Sequence, residues 1–111
     1  MTAFTTATSF HDDIDVNGTS LQGHVSCGYE DIVRCFGEPI DLHTLVTDGK
    51  VDVEWVIRFE DGTVATIYNW KNGPAYCGEA GTPVEAIRYW NIGGKSYKAR
   101  DLVTDALTSG E

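Results

Sequence analysis

One hundred and eleven residues suffice for one domain with one hydrophobic core and are too few for two. Hydrophobic residues make up 41 % and charged residues 23 %, ordinary globular usage that excludes wholesale disorder. Asp and Glu number 17 against 8 Lys and Arg, and the resulting net charge of −9 repels phosphate at long range. Direct binding to nucleic acid or to an anionic membrane is therefore excluded.

Residues 1–20 read as a loosely ordered N-terminal arm, rich in Thr and Ser and then acidic, with one edge strand near Ala3 to Ser9. Residues 21–111 form a single domain. Leu21, Gly23, Val25 and Cys27 alternate with polar residues, which predicts a strand. Tyr29, Ile32, Val33 and Phe36 then follow helical spacing. Glu30 and Asp31 lie in the first turn, Arg34 in the last, and Gly37 and Pro39 follow as a stop signal. Residues 38–50 make a connection ending in Asp48-Gly49.

Val51, Val53, Trp55, Ile57 and Phe59 alternate with mostly polar residues, and Thr63 to Trp70 returns after Asp61-Gly62. Read as a two-residue type I′ turn with both residues at positive φ, Asp61-Gly62 fixes the pairing. Phe59 falls opposite Val64, Ile57 opposite Thr66, Trp55 opposite Tyr68 and Val53 opposite Trp70, all on the core side. The outer face is expected to be mostly polar, with Val56 opposite Ile67 and Glu54 opposite Asn69.

Residues 71–81 hold three Gly and one Pro and read as a loop. Thr82-Pro83-Val84-Glu85 has the pattern of a capping box with Pro at the first helical position. Tyr89 to Ile92 resembles a strand, broken by Gly93-Gly94. Ser96 caps a last helix whose stripe is Ala99, Leu102, Val103, Ala106 and Leu107. The fold class is α+β: an antiparallel sheet centred on a 51–70 hairpin, with short helices at about 28–36, 83–89 and 97–108 packed on one face.

Charge is segregated. Residues 1–64 hold twelve acids and three bases, which is the whole −9, and residues 65–111 are neutral. Three Cys form no C-x-x-C pair, and His11, His24 and His43 sit in no ligand or nucleophile pattern. No Walker loop, dinucleotide fingerprint or zincin helix occurs. No catalytic residue, metal site or cofactor is expected, and neither a signal peptide nor a membrane span.

The segment E-W-V-I-R-F-E-D-G-T-V-A-T-I-Y-N-W-K-N-G through G-T-P-V-E-A-I-R-Y-W-N-I-G-G, with the earlier Y-E-D-I-V-R-C-F-G-E-P, resembles small accessory proteins of tailed bacteriophages. The resemblance covers about two thirds of the chain. It implies a non-enzymatic host-interference protein of the host cytoplasm. Two modes of action fit the residues. In the first, the protein sequesters a small anionic ligand such as a nucleotide immune signal. Trp70, Tyr76, Tyr89 and Trp90 would stack on its rings, and Lys71, Arg88 and Lys95 would meet its phosphates, Arg88 foremost. In the second, Asp52, Glu54 and Glu60, extended by Asp12 to Asp15 and Asp48, mimic a phosphate backbone and inhibit a host defence protein in the anti-CRISPR manner. Both leave homo-oligomerisation open, since a pocket could lie at an interface between copies.

Overall fold

β-Branched and aromatic residues at alternate positions make Val53–Phe59 an interior strand, β4, of the computed structural model, which describes residues 3–7, 14–41 and 51–109. The other elements in chain order are β1 (Phe4–Thr6), β2 (Ser20–Ser26), α1 (Tyr29–Phe36), β3 (Ile40–Asp41), β5 (Val64–Tyr68), α2 (Pro74–Cys77), β6 (Tyr89–Gly94) and α3 (Lys98–Ser109). The connection with Asp48-Gly49 and the acidic run His11 to Asp13 lie outside the described residues.

The architecture is α+β, as the pattern of elements predicts. Every pairing is antiparallel, and the strand order is β1-β4-β5-β6-β2, with β3 beside the start of β4. Helices α1 and α3 pack on one face. There Ile32, Phe36, Ala99, Val103 and Ala106 meet Trp55, Ile57, Phe59, Ala65, Ile67, Trp90 and Ile92 in one core. The start of α1 is closed by the Asp31 carboxylate, which accepts the Gly28 N–H at 2.9 Å and pairs with Arg34. These bonds hold the Asp31 carboxyl below the usual carboxylate range, the Gly28 N–H foremost.

Two expected elements are corrected. The helix expected at 83–89 is a single 3-10 turn, Val84–Ala86, because Pro83 falls at the N-cap, where it offers no side-chain acceptor, and the chain at Ile87 is already extended. Residues 89–94 form β6, which runs through Gly93 and Gly94 between β5 and β2. The glycines there are interior to the sheet.

The hairpin turn is also corrected, with a larger consequence. The Gly62 N–H donates to the Phe59 carbonyl at 2.9 Å and the Phe59 N–H to the Thr63 carbonyl at 2.8 Å. The loop is therefore three residues, Glu60-Asp61-Gly62, with Gly62 alone in the left-handed region at φ 92°. Asp61 stabilises it by accepting the Thr63 N–H at 2.9 Å and the Lys98 ammonium at 2.6 Å. The same bonds, Lys98 foremost, hold the Asp61 carboxyl down to about 2.

One added loop residue moves the register by one. Trp55 faces Ile67, Ile57 faces Ala65, Val56 faces Thr66 and Glu54 faces Tyr68. Thr66 and Tyr68 thus leave the expected core side for the outer face, and Ala65 and Ile67 take their place in the core. The outer face is less polar than expected, for Ala7, Ile40 and Val56 form a small buried cluster there. Gly62→Val should destabilise the protein by about 1–2 kcal/mol through backbone strain alone, because space at that position is open. Gly62→Asn should cost much less. Paired thermal melts check this, and equal melting temperatures would overturn the loop assignment.

Candidate functional site

Asn69, directly after β5, is fully buried beside Asp52. Its side-chain carbonyl accepts the Asp52 N–H at 2.8 Å, and its side-chain amide donates to the Asp52 carboxylate at 2.8 Å and to the Asn72 side-chain oxygen at 3.1 Å. Thr82 N–H closes on the Asn72 carbonyl at 2.8 Å, so the two ends of the 70–82 segment are tied together beside the start of β4. Buried polar groups satisfied in this way specify one loop geometry.

That geometry presents a corner of two rings and a cation. Trp70 is 46 % exposed and Tyr76 53 % exposed. Lys71 Nζ lies 5.6 Å from the Trp70 ring centroid and 5.5 Å from that of Tyr76, within cation–π range of both. Lys71 is the one non-glycine residue with positive φ among the described residues, at 58°. Its carbonyl accepts the Cys77 thiol at 3.2 Å. Non-glycine residues held in this region store strain and recur at binding sites.

Beside the corner lies a cleft of about 250 Å³ on the outer face, bounded by Glu54, Thr66, Tyr68, Trp70 and Gly93. The Tyr68 and Trp70 rings stand nearly perpendicular, with centroids 6.5 Å apart. Register places Glu54, Tyr68, Asn91 and His24 in one row across β4, β5, β6 and β2. His24 in turn stacks on Tyr89 at 5.0 Å. Burial pushes the Glu54 carboxyl up to about 7, and burial with the Glu54 charge raises the Tyr68 hydroxyl.

The ordinary value for Glu54 is 4.5, so the folded state holds this proton more tightly than the unfolded chain. Its contribution to stability is fully present below about pH 4.5 and is lost as pH rises through about 7. Wild type should therefore lose roughly 3 kcal/mol relative to Glu54→Gln between pH 4.5 and pH 8. Urea unfolding of both proteins across that range checks the slope. A constant difference would place Glu54 in solvent.

The residues expected to bind a ligand do not form one group. Trp70, Lys71 and Tyr76 come together, and Trp70, expected on the core side, stands at the surface. Trp90, expected among the ligand-stacking rings, is fully buried; its indole N–H donates to the Cys27 carbonyl at 3.2 Å and its ring meets Trp55 edge-on at 5.3 Å. Arg88 is exposed, 4.0 Å from Glu30 near the start of α1. Lys95 lies beyond the opposite end of β6, 3.7 Å from Asp15. A wider cleft of about 440 Å³ includes Tyr29, Glu38, Pro74 and Glu85 and carries no base among its described residues.

No protein-family model matches the chain, and comparison with curated proteins finds no match. No helix among the described residues is long and apolar enough to cross a membrane.

Sequence reasoning misses Glu54, Tyr68 and Thr66 as cleft residues, and Asp52 and Asn69 as the buried pair that sets the corner. A signal for the first three is present in E-D-G-T, which suits a three-residue loop as well as a two-residue one. Only the longer loop puts Tyr68 beside Glu54.

Proposed function

We propose that the protein is a non-catalytic binding protein that captures a small, planar, anionic ligand of the nucleotide class at the Trp70–Lys71–Tyr76 corner. The observation that carries this reading is the Lys71 ammonium within 5.6 Å of two exposed ring centroids, on a backbone held in the left-handed region. Rings supply stacking surface for a base, and the ammonium supplies charge for a phosphate. With the resemblance to small phage accessory proteins, this makes the chain a host-interference factor that withholds a nucleotide signal from host defence.

The acidic-mimic alternative is less well supported. Of the three acids expected along one strand face, Asp52 is fully buried and Glu54 half-buried, leaving Glu60 exposed. A mimic needs such charges in solvent.

Calorimetry against cyclic and linear nucleotides tests capture. Lys71→Gln and Trp70→Ala should each weaken binding by about ten- to a hundredfold, and added salt should weaken it further. Arg88→Ala should change it less than Lys71→Gln does. No heat with any nucleotide would overturn the reading.

A further inference from the structure

The cleft beside the corner has its own chemistry. Its volume of about 250 Å³ falls below the roughly 300–1,000 Å³ of pockets that hold a whole drug-sized ligand, so it suits one ring system. Tyr68 and Trp70 give it two aromatic walls, and Gly93 leaves its base without a side chain, with the Thr66 hydroxyl packed where a Cβ would project. Trp70 is shared with the Lys71 ammonium, so a ring in the cleft and a phosphate at Lys71 can belong to one molecule.

We propose that this cleft seats the nucleobase of the captured ligand, and that Glu54 selects bases presenting two adjacent N–H donors, as guanine does. This rests on the capture reading above and adds the base to it.

The groups facing Glu54 are Tyr68 from β5, Ile40 from β3, and Val51, Thr19, Ser20 and Trp70 around the cleft. No base lines the cleft among the described residues. An ionised carboxylate is an acceptor only, so two N–H donors side by side complete it. The Watson–Crick edge of guanine offers N1–H beside N2–H₂. Adenine offers an acceptor beside N6–H₂ and would require the protonated acid. Selection for guanine therefore strengthens as Glu54 ionises, which burial shifts to about pH 7.

Calorimetry with guanosine, adenosine, cytidine and uridine monophosphates at pH 6 and pH 8 tests this. The guanine nucleotide should bind wild type about ten- to a hundredfold more tightly than the adenine nucleotide at pH 8, and the ratio should shrink at pH 6. Glu54→Gln should abolish the preference, because an amide pairs its acceptor and donor with the adenine edge instead. Equal binding of the two purine nucleotides by wild type, or a guanine preference that survives Glu54→Gln, overturns base selection alone. Absence of binding by all four overturns base selection, and capture falls with it when the cyclic nucleotides also give no heat.

Discussion

Replacing Trp55 by alanine should unfold the domain at moderate temperature. Trp55 is fully buried, its indole N–H donates to the Gly37 carbonyl at 2.8 Å, and its ring meets Trp90 at 5.3 Å and Tyr29 at 5.7 Å. The substitution removes one of the two largest side chains of the core and the bond that ties the end of α1 to β4. A cost of roughly 3–5 kcal/mol is expected, a large share of the roughly 5–15 kcal/mol that a domain has in total. Trp55→Phe keeps most of the apolar volume and should cost about 1–2 kcal/mol, chiefly through the Gly37 carbonyl. Chemical denaturation of the three proteins checks both values. A Trp55→Ala midpoint close to wild type would overturn the core assignment.

The second large effect is expected at Asn69, which carries no charge and is fully buried. Asn69→Ala removes the acceptor of the buried Asp52 N–H and one donor to the buried Asp52 carboxylate. Leaving such groups without those bonds costs about 1–3 kcal/mol each, so a loss of about 3 kcal/mol is expected. Gly73→Ala should act on the same pair, since its Cβ would lie 2.2 Å from an Asp52 carboxylate oxygen and 2.8 Å from the Asn69 amide nitrogen. Both variants should release the segment that carries Trp70 and Lys71. On the proposed capture function, nucleotide binding should therefore fall even where the protein still folds. Denaturation and calorimetry on each variant check this, and unchanged binding would show that the corner does not depend on the buried pair.

Much of the fold is legible from local pattern. The helix at 29–36 follows from apolar spacing and from acids that suit its first turn, and its structural limits agree. The strands around Trp55 and the last helix are legible for the same reason, because each buries one face set by its own periodicity. The 83–89 segment is not. Its helix signals are genuine, but pairing of Tyr89 onward with β5 and β2 supplies the backbone bonds that a longer helix would have used.

The candidate site was half legible. Trp70, Lys71 and Tyr76 are close in the chain, and the structure keeps them together among the seven residues expected at the site. Arg88, Trp90 and Lys95 are also close in the chain, but a strand runs through them. Alternation sends Trp90 into the core, and strand length separates Arg88 from Lys95.

By itself the sequence determined the α+β class, the aromatic core on β4, helices α1 and α3 and the segregation of charge, since these depend on neighbours within a few residues. Only the tertiary structure decided the hairpin register, the place of β6 and the cleft at Glu54. In a sheet of period two, one loop residue changes which face every side chain of the returning strand occupies. The Asp61 bond to Lys98 that accompanies that loop joins positions far apart in the chain.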